Sequence, residues 1–506
     1  MSYSKIIKYK YEILIILMAI AIRSILIWQP ILEVTATRQV MTASVARNLF
    51  YHGYNIFYPQ LDFNGAGPSL YAVEFPIYQL FVAILYSITN NVNEIYGRLL
   101  NISFFTISLF PLYQLVKKYA NQNTARWSIL FFSFSPLSIL YSRAFIPETL
   151  MICLFLYSLW LFDRWLDDTK FYIYAGLLVT TTIAVIVRPY ALIILFPMVY
   201  LAWCKYKMKV FSRLTLLILP LVVILPSYLW YYSMWSMSRG MIGVPDLWTP
   251  HIWDLSMLLK PIYYKNMWNS ISGPTLTPLC LPFVILGLLF KEQNMRAYFF
   301  HAWFLSVLFF FIVVAEPNAF HDYYQFSLIP VASVFFGKAI DKLQTLSRGS
   351  FWELPIVKIC ILIMTIVVIL FYIRPIYGST LSHFNIVKAG EAVRELTSRG
   401  DLIIANQGTG PAFLYYCDRK GWSFMIQRSK LIQMYIDQNA PLNNLILDPI
   451  VILESYRKEG AAYFAAADVD EFNGEPVFAA YMRSQYKILR ETPDYIIFDV
   501  KNIIAK

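Results

Sequence analysis

Apolar runs of roughly 20 residues recur along the first three quarters of the chain and limit its fold more than any other feature. A helix of about 20 residues is just long enough to cross the hydrocarbon core of a bilayer. Hydrophobic residues make up 58% of the chain and charged residues 14%, whereas a soluble domain carries about 25% charge. A membrane β-barrel would show short alternating segments instead of continuous apolar runs. The sequence therefore predicts a polytopic α-helical membrane protein.

About eleven membrane-spanning helices are predicted, and the basic residues between them set their orientation. Clusters such as Lys117–Lys118 and Lys205–Arg213 lie in short loops, which are usually cytoplasmic when they are basic. With a cytoplasmic amino terminus, all these clusters fall on the cytoplasmic side. The first 30 residues show no small-residue cleavage site and are predicted to be an uncleaved first span. The predicted spans are at about 11–30, 95–116, 124–142, 149–163, 172–187, 190–204, 214–232, 275–290, 298–315, 323–340 and 355–374.

The loop at 31–94, between the first two spans, is long enough to form part of a site on the outer side of the membrane. An amphipathic helix is predicted at about 38–50, lying along the membrane surface. The apolar run at 77–90 is only about 14 residues long, so we expect an interfacial or re-entrant helix there. Such a loop suits a lipid-linked substrate, which needs an apolar groove and arginines at the depth of the phosphate.

The composition changes after residue 374. Residues 1–374 are predicted to be the membrane domain and residues 375–506 a soluble α/β domain. In the second part, DLIIAN and DYIIFDV are typical of strands, and EAVRELTSRG is typical of a helix with a glycine stop. The odd number of predicted spans places this domain on the extracytoplasmic side.

Two features of the composition exclude other classes of protein. The net charge of +11 does not indicate a nucleic-acid partner, because most of the basic residues lie in short loops between apolar runs. The five cysteines are scattered and form no CxxC pair, so they predict neither a disulfide framework nor a zinc site. Membrane lipids are the expected surroundings.

Ionisable residues occur in four separate outer turns beside the predicted spans. Charge near hydrocarbon is costly and usually marks function. Any one of these residues is also explained as an ordinary polar loop residue, but several at one face favour a site. They are Glu33, Arg38, Asp62 and Glu74 in the first outer loop, then Arg143 with Glu148, then Arg188, and finally Glu316, His321 and Asp322.

Five segments within residues 1–340 resemble membrane glycosyltransferases that use polyprenyl-phosphate sugars. This group, the GT-C superfamily, includes protein O-mannosyltransferases and the aminoarabinose transferases that modify lipid A. Each motif alone is weak, but the order and spacing of the set make a specific pattern. The segments are Arg38–Phe50, Asn55–Pro59, Val73–Tyr78, Ser142–Thr149 and His321–Pro330.

The resemblance implies a direct displacement at the anomeric carbon of the sugar. A carboxylate would take the proton of the acceptor, while basic residues stabilise the departing lipid phosphate. Relatives commonly have Asp or Gln where this chain has Met41, so the base must be sought elsewhere. The implied roles are catalysis for Glu74, Glu148 and Glu33, phosphate binding for Arg38, Arg143, Arg188 and His321, and substrate binding for Asp322, Tyr323 and Tyr324.

The resemblance leaves the cofactor and the outer domain open. Relatives differ in metal dependence, and a divalent cation held by Glu74, Glu148 and His321 is one reading, although the spacing is not typical of a metal site. The stretch YYCDRKGW at 415–422 is similar to a part of the relatives' outer domains. It is expected to cover the site, to bind acceptor or simply to act as a structural cap.

Two other functions compete with the transferase. A transporter or flippase for a lipid-linked glycan would place ionisable residues near the middle of the bilayer, commonly with inverted repeats. Here the middles of the spans carry almost no charge and no repeat is evident. The third function is a binding protein that has lost catalysis, for which the departure at Met41 is the argument. The sequence favours the enzyme and leaves the sugar, acceptor and carrier lipid open.

Overall fold

The computed structural model describes most of the chain. Val73, the first residue of one of the motifs above, lies outside the described residues. Those are 9–71, 74–238, 255–292, 294–346, 355–378, 384–406, 410–427, 432 and 448–504.

The part of the chain up to residue 378 is helical. Several helices end shortly before a proline, because proline lacks the N–H that an internal helical position must donate. Thus α5 ends before Pro136 and α8 before Pro189. The α-helices in chain order are α1 (Lys10–Ser24), α2 (Ala36–His52), α3 (Ile77–Thr89), α4 (Ile95–Tyr119), α5 (Gln122–Phe134), α6 (Pro136–Tyr141), α7 (Glu148–Asp167), α8 (Phe171–Val187), α9 (Leu195–Tyr206), α10 (Leu214–Ser238), α11 (Pro261–Ser270), α12 (Leu281–Leu289), α13 (Phe299–Val313), α14 (Ala315–Phe320), α15 (Leu328–Leu346) and α16 (Pro355–Gly378).

Each predicted span contains a helix, and the predicted helical architecture is confirmed. Several spans are shorter or more broken than expected: the one at 275–290 contains only α12, and the one at 124–142 is divided between α5 and α6. The number eleven therefore stays a prediction. Five helical segments among the described residues are long and apolar enough to cross a membrane by length and composition, namely Ile95–Tyr119, Glu148–Asp167, Pro189–Ser212, Leu214–Met237 and Met295–Val313.

The two ends of the helical bundle differ in their charged partners, and α1 connects them. Near its start, Glu12 accepts a hydrogen bond from Arg126 at 2.9 Å. At the same end, Lys118 binds Asp163 at 2.6 Å. Near the other end of α1, Arg23 contacts Ser138, which precedes the SRAFIPET turn. The loops predicted to be cytoplasmic thus gather at one end and the outer turns at the other. The orientation of these ends across the membrane stays a prediction.

Residues 384–504 contain the predicted α/β fold. A five-stranded sheet has the order β2-β1-β3-β5-β4, in which β1 pairs in parallel with β2 and β3 while β5 is antiparallel to β3 and β4. The predicted strands at 401–406 and 494–500 are β1 and β5. The elements are α17 (Phe384–Leu396), β1 (Leu402–Asn406), α18 (Ala412–Cys417), β2 (Gly421–Phe424), α19 (Pro449–Lys458), β3 (Ala461–Ala466), α20 (Val469–Asn473), α21 (Pro476–Gln485), β4 (Lys487–Glu491) and β5 (Ile496–Asp499).

The first outer loop is joined to the edge of this sheet. The backbone N–H of Gly421 in β2 donates to the carbonyl of Asp62 at 3.0 Å, and its own carbonyl accepts from Asn64 and Gly65 at 2.9 and 2.8 Å. Only glycine allows this approach, because a Cβ at 421 would lie 1.8 Å from the carbonyl oxygen of Ile403. The edge of β2 is therefore covered, and the loop and the sheet form a continuous structure.

The position along the membrane surface that was expected for the helix at 38–50 stays a prediction. The helix exists as α2, but most of its residues are buried between the membrane helices and the outer domain. Arg47, a charged residue of this helix, donates to Asp62 at 2.7 Å and to the carbonyl of Tyr415 at 2.6 Å. Its polar side is satisfied by the outer domain and not by solvent, and a single sequence pattern does not reveal such a partner.

Candidate active site

Four of the predicted site residues form one ion network at the outer-turn end of the bundle. Arg188 donates to Glu148 and lies 2.9 Å from Glu74, so one guanidinium bridges two carboxylates. Arg38 binds the same oxygen of Glu74, and the other oxygen accepts a hydrogen bond from Gln79 at 2.7 Å. Both carboxylates are fully buried. Buried charges of this kind persist only when paired, and here each has an arginine.

Local sequence explains why these four side chains lie at element ends. Arg38 is in the first turn of α2, and Glu74 lies in the bend before α3. Glu148 is the first residue of α7, where the partial positive charge of the helix end favours a carboxylate. Arg188 ends α8 because it precedes Pro189, and proline pushes the residue before it out of the helical region. Four distant segments thus supply one cluster.

Tyrosine side chains surround this network. The hydroxyl of Tyr71 lies 2.6 Å from Arg38. The ring of Tyr324 packs edge-on against Tyr190, with centroids 5.3 Å apart. Its centroid lies 4.5 Å from that of Tyr323, and these two rings are tilted against each other. The ring of His321 stacks on Tyr323 at 5.4 Å. These rings present flat apolar surfaces with polar edges, a chemistry that suits a sugar ring.

The aromatic residues of the HDYY segment are more exposed than the carboxylates of the network. His321 is exposed and Tyr323 and Tyr324 are half-buried, whereas the two carboxylates are not exposed at all. Among the four charged members, the side chain of Arg38 is the most exposed, at 14%. A ligand entering beside His321 would therefore meet the arginines before it reached the carboxylates. Asp322 has a partner outside the network, because its carboxylate accepts a hydrogen bond from Tyr141.

Two predicted site residues, Glu33 and Arg143, belong to a second buried network. Glu33 pairs with Arg98, and burial raises the pKa of the Glu33 carboxyl above its usual range. Arg143 donates to the carbonyl of Leu26 at 3.1 Å and lies over the ring of Tyr377. Neither contacts the four residues of the first network through a hydrogen bond or ion pair described here.

This second network holds the turn that follows α1. Arg98 donates to the carbonyls of Leu26 and Ile27 at 3.3 and 3.1 Å, and Arg143 also donates to Leu26. The last carbonyls of a helix and of the turn beyond it lack partners in the helix, and cations near them are favourable. The geometry therefore supports a structural task for Glu33 and Arg143, which is to fix the start of the first outer loop.

Glu94 joins this turn to the outer domain. Its carboxylate accepts the backbone N–H of Ile31 at 3.2 Å, and the hydroxyl of Tyr416 accepts the same N–H at 3.0 Å. Removal from water raises the pKa of Glu94 to about 7, against the opposing effects of Arg98 and the Tyr416 hydroxyl. The folded state therefore retains the Glu94 proton over a range of pH in which the unfolded chain has lost it.

We expect Glu94→Gln to change the pH dependence of stability. The raised pKa stabilises the fold fully below about pH 4.5, and this contribution is lost as the pH rises through about 7. The loss amounts to at most about 3 kcal/mol, and a neutral glutamine does not suffer it. Melting temperatures in detergent at pH 5 and pH 8 test this: the variant should match wild type at pH 5 and exceed it at pH 8. Parallel changes in both proteins would contradict the assignment.

The residues at the first network do not fit a metal site. Among the described parts of the chain, no group of three or more His, Cys, Asp or Glu side chains could hold a metal ion. Arg188 occupies the position between Glu74 and Glu148, so a cation placed there would meet a guanidinium.

Some neighbours of the network were not predicted. Gln79 holds one oxygen of Glu74, and its signal was a polar residue inside the apolar run at 77–90. Tyr71, three residues before Glu74 in the sequence, contacts Arg38, and Tyr190, two residues after Arg188, packs against Tyr324. Arg98, the partner of Glu33, lies inside a predicted span. An arginine within an apolar run was the available signal for it.

The fold of the chain is similar to the folds of several solved structures. The chain has the GT-C fold: it is similar to ArnT from Cupriavidus metallidurans bound to undecaprenyl phosphate, with a TM-score of 0.63, 11% identity, and coverage of 97% of this chain and 98% of that one. It is also similar to the oligosaccharyltransferase AglB from Archaeoglobus fulgidus in complex with an inhibitory peptide and a dolichol-phosphate, with a TM-score of 0.53, 11% identity, and coverage of 98% and 74%. For the arabinofuranosyltransferase AftD from Mycobacteria the values are 0.51, 11%, 97% and 41%.

Part of the chain also matches a protein family. Residues 73–230 match the family described as dolichyl-phosphate-mannose-protein mannosyltransferase. This segment contains Glu74, Glu148 and Arg188, three of the four members of the first network. No curated protein matches the chain significantly in sequence. The family match and the structural matches confirm the resemblance to membrane glycosyltransferases of the GT-C superfamily, and the chain is a multi-pass integral membrane protein.

Proposed function

We propose that the chain is an inverting glycosyltransferase that takes a sugar from a polyprenyl-phosphate carrier on the extracytoplasmic side of the membrane. The observation that carries this proposal is the bridge from Arg188 to both Glu74 and Glu148. Glu74 thus holds the guanidinium groups of Arg38 and Arg188 together, and Arg188 also contacts Glu148, whose Oε2 has no hydrogen-bond partner among the described residues. The donor class is supported by relatives whose structures hold undecaprenyl phosphate and dolichol-phosphate.

The two arginines suit the phosphate of the donor. A guanidinium presents planar paired donors that match phosphate oxygens. Glu74 and Gln79 fix their position, because Glu74 binds Arg38 and Arg188 through one oxygen and Gln79 through the other. As the sugar–phosphate bond breaks, negative charge grows on the phosphate. Donors already fixed at that place stabilise the transition state without reorganising.

Glu148 is the better candidate for the base. Both oxygens of Glu74 are occupied, whereas Oε2 of Glu148 is buried and has no hydrogen-bond partner among the described residues. In the proposed step, Glu148 takes the proton of an acceptor hydroxyl. The acceptor oxygen then forms a bond to the anomeric carbon while the bond from that carbon to the phosphate oxygen breaks. One displacement inverts the anomeric centre and releases polyprenyl phosphate.

The sugar would lie between the arginines and the tyrosines. His321, Tyr323 and Tyr324 border the exposed side of the network, where an aromatic face can pack against a pyranose or furanose ring. Nothing in these rings selects a hexose over a pentose. The acceptor is a lipid, a protein or a cell-envelope glycan. A transporter is less well supported, because the network lies at helix ends and not in the middle of the spans.

Release of free polyprenyl phosphate tests the proposal. Purified protein in lipid vesicles would be incubated with a panel of polyprenyl-phosphate sugars and a membrane extract as the source of acceptor. Wild type should release polyprenyl phosphate from one sugar class. Asp167→Asn, which changes a half-exposed carboxylate at the opposite end of the bundle, should release it equally fast. If wild type releases none from any sugar, the proposed function is wrong.

A further inference from the structure

Gln39 lies directly after Arg38 in α2, but its side chain faces away from the ion network. It is fully buried. Its Oε1 accepts the backbone N–H of Phe145 at 2.7 Å, and its Nε2 donates to the carbonyl of Val34 at 3.1 Å. One amide thus connects the start of α2 to a turn that is 106 residues away in the chain.

The turn that Gln39 holds is the one that carries Glu148. A second buried amide, that of Asn101, donates to the carbonyl of Ile146 at 2.8 Å and also to that of Ala144. Gln39 therefore holds the N–H of this turn and Asn101 its carbonyls. The ring of Phe145 has no room to move on one side, because a Cβ on Gly97 would lie 2.3 Å from it. Phe145, three residues before Glu148, is thus held by its backbone N–H and packed closely against Gly97.

We propose that Gln39 is a positioning residue. It sets the spacing between the phosphate clamp, which is formed by Arg38 and Arg188, and the base Glu148. This rests on the proposed function, in which Arg38 and Arg188 bind the donor and Glu148 takes the acceptor proton. Arg38 and Gln39 are consecutive, so the helix start that places the guanidinium on Glu74 also places the amide on Phe145. A shift of either segment changes both contacts. Gln39 does not touch the substrate and acts through the backbone.

The distance between clamp and base matters more for the chemical step than for donor binding. The donor phosphate needs only the arginines, which Glu74 continues to hold when Gln39 is replaced. Proton transfer needs Glu148 within hydrogen-bond reach of an acceptor that is itself aligned with the sugar. A misplacement of about 1 Å far from the chemistry can cost about 10²-fold in rate. The signature of a positioning role is therefore a loss in kcat with the donor KM preserved.

Three variants separate this role from general stability. Gln39→Met keeps the size of the side chain and removes the hydrogen bonds to Phe145 and Val34 together with the one to Glu33. Gln39→Glu keeps an oxygen that accepts the Phe145 N–H, and burial beside Glu33 favours the protonated, neutral form of the new carboxyl, so it should restore part of the rate. Gln29→Leu is the matched control, because Gln29 is a buried amide that donates to the carbonyl of Ile376 at 3.2 Å, outside the network. Each would be assayed for donor turnover in the full-length reconstituted protein.

We expect Gln39→Met to lower kcat about 30- to 100-fold, with a donor KM within about threefold of wild type. Gln39→Glu should recover at least a third of the wild-type rate. Gln29→Leu should keep the wild-type rate. Unchanged kcat in Gln39→Met, or an equal loss in Gln29→Leu, would overturn the proposal. Hydrogen exchange gives a readout that needs no activity: peptides covering 142–149 should exchange faster in Gln39→Met only. If wild type is inactive on every sugar but this exchange pattern holds, the proposed function is wrong. The structural role of Gln39, which connects the start of α2 to the turn at 142–147, is then still supported.

Discussion

Replacing Glu148 with glutamine is expected to lower the rate of polyprenyl phosphate release by about 10²- to 10⁴-fold, the usual contribution of a general base. Glutamine keeps an oxygen for Arg188, so the arginines and the donor site should be retained. It offers no basic oxygen at the place of Oε2, the atom that has no partner among the described residues. Steady-state kinetics with a fixed donor should therefore show a fall in kcat and a donor KM within a few-fold of wild type.

Glu74→Gln provides the matched comparison, because it also neutralises a fully buried carboxylate of the same network. Glu74 holds Arg38 and Arg188, so its loss should weaken donor binding and raise the donor KM, with a smaller effect on kcat. Equal kcat values for Glu148→Gln and wild type would mean that Glu148 is not the base. A kcat loss confined to Glu74→Gln would give that role to Glu74.

The general fold could be predicted because it depends on patterns that are local in sequence. Apolar runs long enough to span a bilayer give helices, and a change to alternating strands after residue 374 gives the outer sheet. The break between α5 and α6 was not predicted, although Pro136 lies in the middle of that run. The burial of α2 could not be predicted, because it depends on a partner about 370 residues away, where Arg47 donates to the carbonyl of Tyr415.

Part of the candidate site could likewise be predicted from the sequence, and part of it could not. Charged residues at the ends of spans pointed to Arg38, Glu74, Glu148 and Arg188, because charge beside hydrocarbon is costly unless it is used. Position alone did not separate these from Glu33 and Arg143, which lie at the same face. The difference is in their partners: Glu33 pairs with Arg98, a residue inside a run that was read simply as apolar. Pairings between distant segments are set by tertiary packing, and one sequence does not contain that information.

Replacing Arg188 with alanine should have the largest effect on donor use, because Arg188 contacts both Glu74 and Glu148, the two carboxylates of the first network. The change removes a phosphate ligand and leaves Glu148 without its cation. We expect kcat/KM for the donor to fall about 10³-fold, near the upper end for loss of one fixed donor to a developing anion. Removing one partner of a buried ion pair also costs about 3–5 kcal/mol of stability, so the melting temperature should be measured together with kinetics.

Arg188→Lys separates binding from folding. Lysine keeps the charge between Glu74 and Glu148 but is a point charge and lacks the planar fork. It should restore most of the stability and only part of the donor affinity. Arg143→Ala serves as the comparison, since it removes a buried arginine of the second network: it should lower the melting temperature and leave the donor KM within a few-fold of wild type. If instead Arg143→Ala raises the donor KM as much as Arg188→Ala, the phosphate is bound between the two networks, and the clamp formed by Arg38 and Arg188 is not its site.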